Sequence, residues 1–334
     1  NMYFKLLEEL SPDGVCVCFD LKAKTFRHEM YDGYKAQRKP MPEELAIQMP
    51  LVKEALDLLG VTRLEKEGYE ADDLLGTLAF CGSQKGDEWT IVTGDRDSLQ
   101  YIACGAKVAL VTTKQGQTLS EIYDEALFKE KYGGLAPQRL VDLKAIMGDK
   151  SDNIPGVPGI GEKGAMDLLK TYGSLEGVYK ALDEGGEGMT PSVKKKLAEG
   201  RESAFLSYRL AKGVTDAPIA CGDDFTIKAM DKSGLYRFLD RLGLKSIIKR
   251  LSLTPPKEST VSGIALPGYK TVSKEEAHGL LEKCQKVFCA FSEDMKQGAF
   301  VTGGALWACE DLGDEADFLL KRGGYVIHDG KRCA

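Results

Sequence analysis

The sequence predicts an α/β protein with a parallel sheet, followed by a mainly helical part and the beginning of a second α/β unit. Up to about residue 120, short apolar segments typical of buried strands alternate with segments in which apolar residues recur at helical spacing. Helical spacing then dominates to about residue 250, with one extended stretch at 223–227. A polar segment with two adjacent prolines, at 253–263, is typical of a linker.

The strands and helices of the first part follow from local patterns. Segment 14–20 is an apolar run that ends on Asp20, which is typical of a buried strand. Segment 69–84 has helical spacing and acidic residues in its first turn, where they interact favourably with the helix dipole. Because strands and helices alternate, the strands are expected to be parallel. The predicted strands are 14–20, 88–95 and 106–113, and the predicted helices are 42–60 and 69–84.

We divide the chain into an α/β core at 1–120, a helical subdomain at 121–252, the linker at 253–263 and a partial α/β domain at 264–334. The last part shows a strand, a helix and a strand before the sequence stops. The chain starts on Asn1 and a helical pattern with no preceding strand, so we expect a fragment of a longer protein.

Charge and cysteine content restrict the class of protein. With 45 basic and 51 acidic residues the net charge is −6, which by itself argues against a nucleic-acid-binding protein. No apolar run approaches the ~18 residues of a membrane span and no signal peptide is visible, so no membrane partner is expected. The nine cysteines include no C-x-x-C pair, which disfavours a zinc site and is typical of reduced thiols in the cytoplasm.

Acidic side chains occur where predicted strands end and predicted helices begin. Asp149 and Asp152 are three residues apart, which places them on one face if that turn is helical. Each acid alone could be a turn residue or a favourable group at a helix N-terminus. Together they would repel one another unless divalent cations neutralised them; oxygen ligands favour Mg²⁺ or Mn²⁺, and two such ions can hydrolyse phosphodiesters. The candidate metal ligands are Asp20, Glu70, Asp72, Asp73, Asp95, Asp97, Asp149 and Asp152.

A basic segment with interleaved aromatic residues, 20–40, follows the first of these carboxylates. It carries six Lys or Arg residues and three Asp or Glu residues. One interpretation is a solvated loop. The other is a nucleic-acid contact, with cations on phosphates and aromatic rings on unpaired bases. The position of the segment beside the carboxylates favours the second interpretation.

A glycine-rich stretch, residues 159–164 (GIGEKG), matches the G-x-G-x-x-G pattern of dinucleotide-binding proteins. That pattern requires a preceding strand, whereas here a predicted helix and a loop with two prolines precede it. A helix, a tight glycine turn and a second helix form a helix-hairpin-helix, whose turn amides can hold a DNA phosphate without reading sequence. A purely structural turn between two helices is the alternative.

Five motifs occur in order between about residues 20 and 180: FDLKAKTFRHEMYDGYKAQR, GYEADD, TGDRD, GDKSDNIPGVPGIGEK and YGSLEGV. Together they resemble the 5′-nuclease (5′-3′ exonuclease, flap endonuclease-like) domain of bacterial DNA polymerase I, and the resemblance extends to about residue 250. It implies a parallel-sheet PIN/FEN-like nuclease core with a helical helix-hairpin-helix (H3TH) subdomain. It also implies two-metal hydrolysis of DNA phosphodiesters at 5′ ends and flaps, in replication and repair.

The resemblance also implies roles for individual residues. Lys35 and Arg38 match the family's basic residues that contact the scissile phosphate, and they are the catalytic candidates. The turn from Gly159 to Lys163 matches the DNA-gripping hairpin, which in the family also holds a monovalent cation such as K⁺. One metal ion would be held by Asp20, Glu70, Asp72 and Asp73, and the second by Asp95, Asp97, Asp149 and Asp152. The residues expected to bind DNA are Arg27, Tyr34, Lys35, Arg38, Gly159, Gly161 and Lys163.

The chain departs from the family at both ends. The family begins with a strand that bears a further metal-binding Asp, so the core is expected to lack its first strand and the site one carboxylate. Residues 264–334 resemble the start of the polymerase's 3′-5′ exonuclease-type domain, an RNase H-like α/β fold. Ser292 and Asp294 stand where a proofreading enzyme has an acidic pair, so this part is expected to be inactive and truncated.

The leading hypothesis is a structure-selective 5′ nuclease that acts on branched or nicked DNA. We expect a cytoplasmic monomer with a polymerase domain in cis in the full-length protein, and water as the nucleophile. The first alternative is a non-catalytic DNA-binding module that uses only the hairpin and the basic segment. The second is a nucleotide- or NAD-dependent enzyme, which would require a strand before Gly159.

Overall fold

The computed structural model describes residues 2–114, 117–221, 225–256, 270–283, 287–291, 298–302, 305–309 and 325–327. The chain divides into two compact units, residues 1–256 and 257–334. The predicted linker lies outside the described residues from residue 257 onward. Ser292 and Asp294, which stand where a proofreading enzyme has an acidic pair, also lie outside them. Among the described helices, none is both long enough and apolar enough to cross a membrane.

The first half of unit 1 is the α/β part. Its helices are α1 (Met2–Leu10), α2 (Phe26–Met30), α3 (Glu43–Ala46), α4 (Met49–Leu58) and α5 (Ala71–Lys85), with a 3-10 helix at Arg96–Cys104. Its strands are β1 (Cys16–Cys18), β2 (Thr62–Leu64), β3 (Thr90–Thr93), β4 (Lys107–Lys114) and β5 (Gln117–Tyr123).

The described strands of this part form two sheets, and the predicted parallel pairing is confirmed in both. In one sheet β1 pairs parallel to β2, with Cys16 opposite Thr62. In the other, β3 pairs parallel to β4, and β4 pairs antiparallel to β5. The sequence interpretation missed β5 and was wrong to begin the helical part at residue 121. Half of this edge strand is polar, and its stability comes from pairing with β4 rather than from an apolar run of its own.

The single helix predicted for 42–60 is wrong, because two helices, α3 and α4, occupy this range. Pro50 lies in the first turn of α4. Proline has no amide hydrogen to donate to the preceding turn, so it ends one helix but is well tolerated at the start of another. The predicted helix at 69–84 is confirmed as α5.

The second half of unit 1 is helical. Its helices are α6 (Glu125–Lys131), α7 (Arg139–Met147), α8 (Glu162–Tyr172), α9 (Leu175–Asp183), α10 (Pro191–Glu199), α11 (Arg201–Ala211), α12 (Lys232–Arg241) and α13 (Lys245–Arg250). Every residue of α7 from Leu140 to Ile146 is buried, and α7 packs against α8, α11 and the 3-10 helix. Helix α5 packs against β1 and β3. These two helices hold the loops that carry the candidate site.

Unit 2 has the predicted order of strand, helix and strand at its start. Its elements are β6 (Lys270–Thr271), α14 (Lys274–Glu282), β7 (Val287–Phe291), β8 (Gly298–Thr302), β9 (Ala305–Cys309) and β10 (Tyr325–Ile327). The strands form one sheet in the order β10-β7-β8-β9-β6. The outer pairs, β10 with β7 and β6 with β9, are parallel, and the inner pairs are antiparallel.

Two cysteines of unit 1 form a disulfide between Cys81 on α5 and Cys221, which are 140 residues apart in sequence. The expectation that all cysteines are reduced is therefore wrong for this pair. Sequence spacing cannot reveal it, because the two thiols meet only when the segment after α11 packs along α5. That segment is also held by the amide of Ala217, which donates to the Thr77 hydroxyl at 3.1 Å.

Removing this disulfide should destabilise unit 1. The double variant Cys81→Ser/Cys221→Ser is expected to lose about 2–5 kcal/mol of unfolding free energy, because the unfolded chain regains the entropy of a long open loop. Urea unfolding of the oxidised protein measures the loss. Dithiothreitol should lower the stability of the wild type to that of the variant and leave the variant unchanged. A wild type that is insensitive to the reductant would contradict the prediction.

Candidate active site

An open cavity of about 220 Å³ in unit 1 collects most of the predicted site residues. Six segments contribute to it: the loop after β1, the basic segment, the start of α5, the 3-10 helix with the residue before it, the loop after α7 and the end of α11. Its charged lining residues are Asp20, Arg27, Lys35, Arg38, Glu70, Asp72, Asp95, Asp97 and Asp152. The sequence prediction that these distant segments meet is therefore confirmed for these residues.

The ends of the strands place the first carboxylates. Asp20 lies two residues after β1, and its Oδ1 accepts a hydrogen bond from the Ala71 amide at the start of α5, at 2.7 Å. Asp95 lies two residues after β3 and caps the 3-10 helix, accepting from the Asp97 amide at 2.9 Å. Ligand sites of α/β folds lie where strands end, and these two local caps bring Asp20 and Asp95 to the same cavity, although β1 and β3 belong to different sheets.

Asp149 and Asp152 do not share a helical face as the spacing suggested. The loop after α7 is closed by two backbone hydrogen bonds between Asp149 and Ile154, at 2.8 and 2.9 Å. Asn153 in this turn has a left-handed backbone, with φ 57°. The turn therefore directs the two carboxylates to different partners, Lys144 for Asp149 and Arg38 for Asp152.

Lys144 on α7 is a site residue that the sequence interpretation missed. It is 8% exposed, and its ammonium group contacts the carboxylates of both Asp97 and Asp149, the latter at 2.6 Å. Although burial opposes it, the hydrogen bond from Lys144 helps to lower the pKa of Asp149 to about 2. The sequence feature that could have revealed Lys144 is its position among the apolar residues of α7, where a charged side chain is expected only with a charged partner.

On the other side of the cavity, Lys35 and Arg38 contact Glu70 and Asp152. The Lys35 ammonium lies 2.8 Å from Glu70 and 3.8 Å from Asp152, and Arg38 Nη2 lies 2.5 Å from Asp152. The buried Tyr34 hydroxyl donates to Glu70 at 3.1 Å and lies 3.4 Å from Asp152. Asp152 thus lies with Glu70, although the resemblance assigned these residues to different metal ions.

The ionised forms of Asp72 and Asp97 are disfavoured at their positions. Burial, followed by the charges of Asp95, Asp20 and Glu70, raises the pKa of Asp72 to about 7. Burial also raises the pKa of Asp97 to about 6, despite the opposing effect of Lys144. Carboxylates whose ionised form is disfavoured in this way are suited to a bound cation.

The donor set fits a divalent cation that prefers oxygen ligands, because carboxylates supply it without His. In the arrangement observed, no three acidic, His or Cys side chains of the described residues converge as a ready coordination group. Lys35, Arg38 and Lys144 span the carboxylates instead. The residues fit divalent cations by the oxygen atoms and the negative charge of their carboxylates, rather than by a ready coordination geometry.

Asp73, predicted to be a metal ligand, and Arg27, predicted to bind DNA, are paired with each other inside the protein. Asp73 is 0% exposed and Arg27 is 3% exposed, and they form a two-pronged ion pair with both N–O distances at 2.7 Å. Arg27 also donates to the carbonyl groups of Leu210 and Lys212, at 2.9 and 3.0 Å. With its donors used inside the protein, the guanidinium joins α2 to α5 and to the end of α11.

Tyr34, which was also predicted to bind DNA, has a buried ring. The residue is 3% exposed, with the His28 ring packed edge-on at 5.3 Å and the Lys35 ammonium 5.0 Å from its centroid. No face is open for a base to stack. Tyr34 instead anchors the basic segment in a small core with Val141, Ile154 and Leu210.

The glycine turn lies between α7 and α8, preceded by a helix and a loop rather than by a strand, which removes the context of a dinucleotide-binding site. Gly161 caps the N-terminus of α8, and a side chain at this position would meet nothing within 4 Å. Gly159 and Lys163 are exposed. Their predicted contact with DNA stays a prediction.

Comparisons with known proteins agree with this fold. The family model for the 5′-3′ exonuclease N-terminal resolvase-like domain matches residues 1–133, and the model for the 5′-3′ exonuclease C-terminal SAM fold matches residues 135–233. DNA polymerase I of Caldicellulosiruptor bescii is 45% identical over 255 residues, which are 76% of this chain and 29% of that protein. DNA polymerase I of Streptococcus pneumoniae is 37% identical over 312 residues, 93% of this chain and 34% of that protein. The chain thus spans about a third of the length of these relatives.

Solved structures show the same fold. The 5′-exonuclease of bacteriophage T5 with bound divalent metal ions (zinc) superposes with a TM-score of 0.52 at 22% identity, over 73% of this chain and 88% of that one. A complex of the T5 flap endonuclease with DNA and metal ions gives a TM-score of 0.53 at 22% identity, over 72% of this chain and 88% of that one. The two matching family models lie side by side and together cover more than half of the sequence, so the chain belongs to the 5′-3′ exonuclease family.

Proposed function

We propose that the chain is a structure-selective 5′ nuclease that hydrolyses DNA phosphodiesters at 5′ ends and flaps in replication and repair. The observation that carries the proposal is the cavity in which carboxylates from four loops meet the cations of the basic segment. Carboxylates suit divalent ions and the cations suit phosphate, so one cavity contains both groups that phosphodiester hydrolysis requires.

Two Mg²⁺ or Mn²⁺ ions would be held by the predicted carboxylate ligands other than Asp73. Asp20, Glu70 and Asp72 would form one set, and Asp95, Asp97, Asp149 and Asp152 the other, which requires Asp152 to exchange its contacts with Lys35 and Arg38 for the ion. When bound, such ions lower the pKa of a water molecule and neutralise charge on the attacking and leaving oxygens. Asp73 is left out because its oxygens are occupied by Arg27 and by the amides of Glu70 and Val214.

Lys35 and Arg38 would bind the scissile phosphate. Arg38 has a half-exposed side chain, and Lys35 lies at the cavity, so both can exchange a carboxylate partner for a phosphate oxygen. Lys144 is nearly buried and would hold Asp97 and Asp149 together in the absence of a cation. Water is the proposed nucleophile, so the chain needs no Ser, Cys or His nucleophile.

The rest of the molecule would bind and present the DNA. We propose that the turn from Gly159 to Lys163 holds a duplex phosphate at the α8 N-terminus, with a monovalent cation such as K⁺. The full-length protein would be a monomer with a polymerase domain in cis, and residues 264–334 would begin an inactive 3′-5′ exonuclease-like domain. We infer a cytoplasmic location, where thiol reductants would act on the Cys81–Cys221 disulfide.

A labelled substrate tests the proposal. The chain is incubated with a duplex that carries a 5′ flap labelled at its 5′ end, with Mg²⁺, with Mn²⁺ and with EDTA. We expect short labelled products that require the metal, and little cleavage of a matched duplex with a 3′ flap. Binding of the flap duplex without cleavage, even in excess Mn²⁺, would contradict the nuclease and favour the non-catalytic DNA-binding module.

A further inference from the structure

Two non-glycine residues with left-handed backbones face each other at the base of the basic segment. Among the described residues, four that are not glycine have positive φ, and two of these are Lys35 (φ 53°) and Asn153 (φ 57°). An L-residue adopts this conformation at a cost, so surrounding contacts must hold it, and such residues concentrate at functional sites. Asn adopts it more readily than Lys does.

Three hydrogen bonds join the two turns. The Asn153 side-chain amide donates to the Gly33 carbonyl at 2.7 Å, and the Lys35 amide donates to the Asp152 carbonyl at 2.9 Å. The Gln37 side-chain amide lies 3.5 Å from Asn153 Oδ1. We call the first two bonds the Gly33–Asn153 latch. They connect segments that are more than 110 residues apart, so they define the position of the basic segment relative to the carboxylates.

We propose that Asn153 is a positioning residue for the reaction, which acts by docking the backbone of residues 33–35 and thereby aims Lys35 and Arg38. Lys35 has a long flexible side chain, so the direction of its backbone decides where its ammonium group can reach. In the latched arrangement that group lies 2.8 Å from Glu70, and Arg38 lies 2.5 Å from Asp152. The side-chain N–H of Asn153 donates to the Gly33 carbonyl, so Asn153 acts on the basic segment through this bond.

The neighbouring contacts explain why Asn occupies position 153. A left-handed turn with a side-chain donor requires a small polar residue, and Asn supplies both properties. Gly would keep the backbone conformation but lose the donor. Asp would keep the shape but present a charged acceptor to the Gly33 carbonyl. Replacing Asn153 by Gly therefore removes the side-chain bond of the latch and keeps the backbone turn.

The inference rests on the proposed nuclease function, and two measurements test it on the full chain. The first is hydrogen–deuterium exchange of the peptide 31–38. Asn153→Gly should raise exchange at the Lys35 amide about tenfold, because its bond to Asp152 opens more often. Val178→Ala, a cavity variant in α9, is the control and should leave this peptide unchanged while lowering the melting temperature.

The second measurement is single-turnover cleavage of the 5′-flap duplex. Asn153→Gly should slow cleavage about tenfold with the Kd for DNA changed less than about twofold, and Asn153→Asp should not restore the rate. The triple variant Lys35→Ala/Arg38→Ala/Asn153→Gly should be no slower than Lys35→Ala/Arg38→Ala, because Asn153 acts through Lys35 and Arg38. A purely structural effect would add to the effect of removing the two cations.

The outcomes separate the two proposals. If the wild type binds the flap duplex and does not cleave it, the nuclease function fails, and faster exchange in Asn153→Gly still shows the latch. If exchange at 31–38 is unchanged in Asn153→Gly, the latch is overturned whatever the cleavage rate. If the wild type is active and exchange rises in Asn153→Gly but the cleavage rate of that variant is unchanged, or if the triple variant is slower than Lys35→Ala/Arg38→Ala, the positioning role is overturned.

Discussion

Replacing Asp149 by Asn should slow single-turnover cleavage of a 5′-flap duplex by about a thousandfold, equivalent to about 4 kcal/mol of transition-state stabilisation. Asp149 is nearly isosteric with Asn, and the turn that carries it is closed by its backbone bonds to Ile154. The Ser151 amide, which donates to Asp149 Oδ1 at 2.7 Å, can donate to the Asn oxygen as well. The substitution therefore removes one proposed metal ligand while keeping the backbone turn, and it also removes the carboxylate oxygen that accepts from Lys144.

The cost of this change should appear in the chemical step rather than in DNA binding. The Kd for the flap duplex, measured without divalent metal, should change less than about twofold, since in the proposed function Lys35, Arg38 and the glycine turn hold the phosphates. The matched control is Glu130→Gln, which removes an exposed carboxylate on α6 outside the cavity and should cleave at the wild-type rate. A cleavage rate for Asp149→Asn within tenfold of the wild type would contradict the role of Asp149.

The part of the site that follows strand ends could be predicted from the sequence. Asp20 and Asp95 come directly after apolar runs, and the alternation of strands and helices indicates that these runs are parallel. The carboxylates that follow these two strands are 75 residues apart in sequence and line one cavity in the structure. The inference needs only local pattern and the rule that ligands bind where strands end, which is why the fold class was predicted correctly and these carboxylates were expected in one place.

The residues that could not be predicted are charged groups whose burial depends on contacts far along the chain. A charge in a sequence indicates a solvated group or a ligand, and only packing shows when it is neither. Arg27 was interpreted as a DNA ligand, whereas Leu210 and Lys212, more than 180 residues away, accept its hydrogen bonds. Lys144 was missed for the opposite reason. It stands among apolar residues of α7, where no charged site residue was expected. The Cys81–Cys221 disulfide was missed for the same non-local reason.

The buried pair of Arg27 and Asp73 leads to the largest expected effect on stability. Arg27→Met keeps most of the side-chain volume but leaves Asp73, which is 0% exposed, without its counter-ion. Breaking a buried ion pair in this way costs about 3–5 kcal/mol, because an unpaired charge stays in the interior. Urea unfolding should show this loss, and Lys22→Met, an exposed change in the same basic segment, should alter stability by less than about 0.5 kcal/mol.

The structural and DNA-binding interpretations of Arg27 predict opposite results in a second experiment. If the charge of Asp73 causes the loss, Arg27→Met/Asp73→Asn should be more stable than Arg27→Met alone, because neutralising position 73 removes the unpaired charge and keeps an oxygen for the Val214 amide. A DNA ligand would behave differently. Arg27→Met would then weaken flap binding at unchanged stability, and adding Asp73→Asn would rescue nothing. Since the guanidinium donates to Asp73, Leu210 and Lys212 within the protein, we expect the rescue in stability.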